Sequence, residues 1–194
     1  MSRTGAVAVA SHSFSKNGQL REELLAKYPS ARFNDTGAPL AGEPLIRFLG
    51  GHEKAISGLE VLDDDLFRAV PELRLVSKYG VGLDTLDLEA ARRHNVVVRW
   101  TPGVNSQAVA ELAVAFMVAL SRDIIPLADE VRAGRWPHHR NGRQLSSAVV
   151  GILGCGHVGQ RVTRICGAFG ARVLAHDIRT YDAFYRETGV LPVP

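Results

Sequence analysis

Gly154, Gly156 and Gly159 stand at the spacing G-x-G-x-x-G, directly after the apolar run Val149-Val150-Gly151-Ile152-Leu153, and Asp177 follows eighteen residues beyond the last of them. Between glycines and acid, Val162, Ile165, Cys166 and Phe169 recur at helical spacing, and a second apolar run, Val173 to Ala175, stops just short of the acid. These residue types suit the holding of a dinucleotide. Gly154 allows a tight turn and Gly156 lets the backbone approach a pyrophosphate. Gly159 lets a helix pack closely on the strand it leaves, and the first N–H groups of that helix face the phosphates. Asp177, ending the second strand, is placed to accept from the ribose hydroxyls. Its charge repels a 2′-phosphate, so the pattern reads as NAD over NADP, with Arg179 two residues on softening the discrimination.

The elements that must position this turn can be followed back along the chain. Val7 to Ala10 reads as a strand, and Gln19 to Lys27 as a helix through Leu20, Leu24 and Leu25. Leu45, Ile46 and Leu49 mark a second helix, and Ala55 to Leu59 a short strand. Asp63, Asp64 and Asp65 suit the positive end of a helix carrying Leu66, Phe67 and Val70. A strand from Leu73 to Tyr79 runs into Gly80-Val81-Gly82, followed by a helix from Leu88 to His94, a stop at Asn95, and a strand from Val96 to Val98. Such alternation predicts a parallel sheet with helices on its faces. The expected fold is therefore α/β: a small flavodoxin-like parallel-sheet domain over 1–102, then a linking helix and connector over 103–146, then a Rossmann dinucleotide-binding domain over 147–194. After residue 148 there is room for two strands, where a whole domain of this type has about six, so the second domain is expected to be truncated.

Asn105 or Ser106 can cap a helix over 106–121 whose faces are all apolar: Val109, Leu112, Phe116 and Leu120, but also Ala110, Val114 and Val118. It is expected to be buried all round, between domains or between subunits, and homodimerisation is the sharper reading. Composition narrows the remaining classes. With 46% hydrophobic residues and a net charge of +3 the chain reads as a soluble globular protein. The one dense basic stretch, Arg132 to Arg143, reads as a solvated connector, and no nucleic-acid motif accompanies it. The longest apolar run, Ala108 to Leu120, has thirteen residues and contains Glu111, too short for a bilayer. Two cysteines, Cys155 and Cys166, form neither a metal spacing nor a disulfide framework, and nothing near Met1 resembles a signal peptide. A cytoplasmic location with reduced thiols is expected.

Ser77-Lys78-Tyr79-Gly80-Val81-Gly82-Leu83-Asp84, Thr101-Pro102-Gly103-Val104-Asn105-Ser106-Gln107-Ala108-Val109-Ala110-Glu111, and Gly151 to Gly159 occur in that order. Together they make residues from about 40 onward similar to the D-isomer-specific 2-hydroxyacid dehydrogenases, and to their phosphoglycerate dehydrogenase-like members in particular. The resemblance implies a nicotinamide domain inserted into a substrate domain, with a small 2-hydroxy or 2-keto acid bound in the cleft. It implies that the backbone N–H groups of Val81 and Gly82 bind the substrate carboxylate, and that His157 and Val158 add backbone groups at the pyrophosphate. Asn105 matches a substrate-contacting position and Val109 one lining the nicotinamide pocket; equally, Asn105 serves as a helix cap and Val109 as core. Lys78 either adds charge near the substrate or is a solvated lysine.

The activity implied is hydride transfer between NAD and a D-2-hydroxy acid, 3-phosphoglycerate being one candidate substrate. The family's catalytic arginine, carboxylate and histidine are expected beyond residue 194, so no catalytic residue is assigned and the chain alone is expected to be inactive. His12, His52, His94, His138 and His139 read as polar loop or helix-end residues, and His176 is misplaced for hydride chemistry. Two other readings stay open: a non-catalytic module that keeps the nucleotide turn and the dimer helix, and a methyltransferase that uses the glycine turn for S-adenosylmethionine.

Overall fold

In the computed structural model, residues 5–138 and 142–194 are described; His139 and the middle of the basic connector lie outside them. The chain forms two compact units, Met1–Pro102 and Gly103–Pro194. In the first, β1 (Val7–Val9) is followed by α1 (His12–Ser15), α2 (Gly18–Lys27), β2 (Arg32–Phe33), α3 (Gly42–Leu49), β3 (Lys54–Ser57), α4 (Asp64–Ala69), β4 (Leu75–Lys78), α5 (Leu88–Arg93) and β5 (Val97–Arg99). All strand pairs are parallel, in the order β2-β1-β3-β4-β5. This is the flavodoxin-like order, whose direction of winding reverses between β1 and β3. The reversal places helices on both faces. Leu45, Leu49, Leu62, Leu66, Phe67 and Val76 fill one layer, and Phe14, Leu20, Leu24 and Phe33 pack with Val7 and Val9 on the other.

Local chemistry sets the helix starts. Asn17, Asp63 and Asp87 each accept a hydrogen bond from the backbone N–H three residues on, at 3.1, 3.0 and 2.8 Å, which satisfies donors that the helix itself cannot. Asn95, just after α5, takes a left-handed φ of 57° and ends that helix. His12, read as a loop residue, instead opens α1 behind the capping hydroxyl of Ser11.

The second unit holds α6 (Ser106–Ser121), α7 (Ile124–Arg132), a short 3-10 turn at Leu145–Ser147, β6 (Val149–Leu153), α8 (His157–Ala168), β7 (Arg172–His176), α9 (Asp182–Thr188) and β8 (Leu191–Pro192). Its sheet is parallel, in the order β6-β7-β8. Residues 103–146 share this unit with 147–194. Three strands follow residue 148, not two, because Val190 and its neighbours carry the chain back alongside β7. Ala110 and Val114 of α6 pack against Val162 and Cys166 of α8.

Within the single chain the expected burial of α6 is met on one face only. Ser106, Ala110 and Val114 are its buried residues, on the side packed against α8. Leu112, Phe116 and Leu120 remain 55%, 59% and 80% exposed.

Electrostatics in the first unit converge on Asp64 at the start of α4. It pairs with Arg68, with Arg93 at 2.8 Å and with His94 at 3.1 Å. The hydrogen bond from Arg93, then that from His94, holds its carboxyl below the ordinary carboxylate range. A depressed folded-state value contributes stability that is present above the unfolded pKa of 3.8 and is lost as pH falls through the folded one. Thermal midpoints of wild type and Asp64→Asn should therefore differ at about pH 7, wild type higher, and converge towards about pH 2.5; an unchanged gap across that range would contradict the pairing.

Candidate functional site

Strand β6 enters the glycine turn at Gly154, whose φ of 92° favours a residue without a side chain. Its N–H donates to His176 O at 2.8 Å, which ties the turn to the end of β7. Gly156 is the N-cap of α8, and no side chain caps that end, so the first N–H groups of the helix are left to a ligand. A Cβ on Gly154 or Gly156 would meet nothing within 4 Å. Space, not conformation, is what Gly156 provides, because its φ of −77° suits any residue. At Gly159 the reverse holds: a Cβ there would lie 2.1 Å from Gly154 O and 3.1 Å from Ile152 Cγ2. An open turn followed by an uncapped helix start is a geometry that fits an anionic group such as a diphosphate.

Asp177 has a second role that its place in the motif did not show. One carboxylate oxygen accepts the Cys155 N–H at 2.6 Å and the other the Arg179 N–H at 2.9 Å. A carboxylate has about four acceptor sites, so two remain for ribose hydroxyls while the other two brace the turn. Cys155 is fully buried beneath it. Burial, then the nearby Asp177 charge, raises its thiol pKa, and burial does the same for Cys166. Both thiols are free and spaced by packing, with Cys166 Sγ 3.8 Å from Met117 Sδ.

The start of α6 lies beside this turn. Gly103 has φ +72°, and a Cβ there would come within 2.6 Å of the His157 ring. Neither capping candidate caps: Asn105 is the N-cap residue but its side chain makes no capping bond, and the Ser106 hydroxyl donates back to Gly103 O at 2.6 Å. Asn105 is exposed, and Val109 is 42% exposed, which removes the core reading for it.

In the first unit, β4 is followed by Tyr79, whose N–H donates to Ser57 O at 2.7 Å, and Gly80 turns the chain with φ +138°. Among the described residues neither the Val81 nor the Gly82 N–H has an acceptor, the state expected of main-chain donors awaiting an anion. Lys78 is partly buried and hydrogen-bonded, which corrects the solvated reading of it and leaves its charge beside the loop that carries Val81 and Gly82. Its ammonium donates to Gly58 O and, at 2.8 Å, to Thr85 Oγ1. Glu60, which the motifs did not single out, is 2% exposed and accepts the Gly58 N–H at 2.5 Å. Gly58 is thus held at both its N–H and its C=O, and the loops after β3 and β4 are locked together. No group of residues that could hold a metal occurs among the described residues, and no helix among them is long and apolar enough to cross a membrane.

The fold and the glycine turn define a parallel α/β protein of the dinucleotide-binding class. Residues 114–191 match the family described as D-isomer specific 2-hydroxyacid dehydrogenase, NAD binding domain. The chain is 34% identical over 176 residues to a glyoxylate reductase of Aeropyrum pernix, covering 86% of this chain and 52% of that one. It is 37% identical over 130 residues to a D-3-phosphoglycerate dehydrogenase of Mycobacterium leprae, covering 66% of this chain and 25% of the relative. Its fold superposes on D-lactate dehydrogenase from Aquifex aeolicus complexed with NAD and lactic acid, with a TM-score of 0.80 at 21% identity, over 97% of this chain and 55% of that one. Residues 114–191 thus belong to the NAD-binding domain of the D-isomer-specific 2-hydroxyacid dehydrogenase family, which makes NAD the cofactor of this unit. The chain spans about half the length of the Aeropyrum relative.

Gly159 is the position at which a methyl group is least tolerated. Gly159→Ala should lower stability by about 1–3 kcal/mol through overpacking against the Gly154 carbonyl, read as a lower urea midpoint. Gly151→Ala, where a Cβ meets nothing within 4 Å, should leave the midpoint within about 0.5 kcal/mol of wild type; equal effects at the two sites would refute the close approach.

Proposed function

We propose that this chain supplies the cofactor-binding and carboxylate-binding parts of an NAD-dependent oxidoreductase acting on the CH–OH group of a small D-2-hydroxy acid. The observation that carries the reading is the pair of glycine turns with unclaimed main-chain donors, one at the start of α8 and one at Val81 and Gly82. In the first, Gly154, Gly156, His157, Val158 and Gly159 hold the diphosphate and Asp177 the ribose. In the second, the Val81 and Gly82 amides hold the substrate carboxylate, Lys78 bracing the loop they stand on. Asn105 contacts substrate and Val109 lines the nicotinamide pocket. NAD held by these residues would supply the hydride donor or acceptor for the substrate's C2. The names of the relatives, glyoxylate reductase and D-3-phosphoglycerate dehydrogenase among them, support a small 2-hydroxy or 2-keto acid as substrate, 3-phosphoglycerate included.

No residue of the chain is assigned the proton transfer. His52 Nδ1 lies 3.0 Å from Gly50 O, His94 pairs with Asp64, and His176 Nδ1 lies 3.2 Å from Val193 O. His157 packs over Gly103. The expected behaviour of the 194-residue chain is therefore binding without turnover. Calorimetric titration should show NAD bound at least tenfold more tightly than NADP, about 1.4 kcal/mol. Asp177→Asn, which keeps an acceptor but removes the charge, should narrow that ratio. Oxidation of NADH by the chain with glyoxylate or hydroxypyruvate, or equal affinity for the two cofactors, would overturn the assignment.

The uncovered face of α6 supports a homodimer, since Leu112, Phe116 and Leu120 fall at helical spacing on one stripe. Two buried unpaired thiols and the lack of an apolar spanning helix among the described residues support a cytoplasmic location. Sedimentation equilibrium should give twice the chain mass for wild type and the single mass for Phe116→Glu combined with Leu120→Glu; a wild-type monomer would remove the dimer.

A further inference from the structure

Arg161 stands one helical turn after His157 on α8, so the two side chains leave the helix on the same side. Its guanidinium reaches the first turn of α6. Nε donates to Ser106 Oγ at 2.7 Å and Nη1 to Gln107 Oε1 at 2.7 Å. Both acceptors are neutral, so the contact is not an ion pair, and its use is geometric. The Ser106 hydroxyl, on a residue only 2% exposed, is engaged twice: it accepts from Arg161 and donates to Gly103 O at 2.6 Å. Gln107 is fixed in turn by its amide, which donates to Glu111 Oε1 at 2.7 Å.

At the other end of the same segment the His157 ring fills the space over Gly103. Two residues of α8, one turn apart, therefore grip Gly103 and the Ser106–Gln107 pair. The rest of the α6–α8 contact is apolar, with Ala110, Val114, Val162 and Cys166 at its centre and Met117 against Cys166. Apolar burial of that kind is non-directional and leaves the helices free to slide by fractions of a turn. A charged donor that must meet two acceptors within narrow limits of distance and angle removes that freedom.

We propose that Arg161 is a positioning residue: acting through Ser106, it sets the Gly103–Val109 segment in register with the main-chain donors of the glycine turn. Asn105 and Val109 then move with α8 as one piece. The idea rests on the reading of residues 154–159 as the NAD turn, and its test separates the two. In the 194-residue chain, amide NMR spectra without ligand should show Gly103 to Val109 displaced in Arg161→Met and in Ser106→Ala, with resonances of β7 and α9 unmoved. Titrated with NAD, each variant should bind roughly three- to tenfold more weakly than wild type, the range of one ordinary hydrogen bond. The double variant should lose less than the sum of the two singles, because both remove the shared Arg161–Ser106 link. Arg161→Lys, which reaches one acceptor only, should recover part of the loss.

A merely structural role would give additive losses and displacements spread through the unit. Unmoved Gly103–Val109 resonances in Arg161→Met, or additive losses of affinity, would overturn the proposal. If wild type itself fails to bind NAD, the proposed function falls, and the ligand-free spectra alone still decide for or against Arg161.

Discussion

Helix α8 can leave strand β6 at its observed angle only because residue 159 carries no side chain. With a Cβ at that point 2.1 Å from the Gly154 carbonyl, any other residue would lift the helix off the strand and carry its first N–H groups away from the turn. Everything in the second unit is referred to that contact. The turn below it is fastened to β7 by the Gly154 amide and by Asp177, whose two oxygens hold Cys155 and Arg179. The helix above it carries His157 and Arg161 to the start of α6. A single close approach thus fixes the donors, the acid and the neighbouring segment relative to one another.

The first unit solves the same problem with different parts. Its turn after β4 presents main-chain amides, and its charged side chains are spent on the scaffold behind them. Lys78 and Glu60 take the carbonyl and the N–H of one residue, Gly58, and Thr85 shares the lysine. Burying a carboxylate is costly unless its hydrogen bonds are made, and here the cost is offset by a short bond to a backbone donor in a loop that would otherwise be loose. In both units a ligand anion would meet backbone N–H groups that need no reorganisation, held by side chains already satisfied. Such preorganisation is what lets a few neutral donors compete with water for a charged group.

What could be read from the chain and what could not divides along sequence separation. The turn at 154–159 is encoded within six residues and its acid within twenty-four, so spacing alone was enough. The alternating strands and helices of the first unit were legible for the same reason, as were the acidic start of α4 and the stop at Asn95. Arg161 and Ser106 lie fifty-five residues apart and Lys78 and Gly58 twenty apart, and no local pattern pairs them. Lys78 shows the cost: a lysine before a glycine turn reads as a charge near a ligand or as a solvated side chain, and its bonds to Gly58 O and Thr85 Oγ1 are invisible in the local sequence. β2 and β8, of two residues each, are too short to have a period. α7 falls inside what reads as a connector, and its Pro126, in the first turn of the helix, costs no hydrogen bond there.

Helix α6 shows why apolar on every side does not mean buried on every side. Its small residues, Ala110 and Val114, face α8, where close helix approach needs little volume. Its large ones, Leu112, Phe116 and Leu120, form the opposite stripe and stay open. Had the helix been meant for the interior of one chain, the large residues would sit where packing is densest, since that is where their area contributes most. Their segregation to the outer face therefore argues for a second surface of matching size. Val109 begins the same stripe one turn earlier, next to the residues that Arg161 holds. The stripe is thus anchored at its first turn by directional hydrogen bonds and left apolar along the rest. That division fits a helix whose start must be set to within a fraction of an ångström while its length need only be covered.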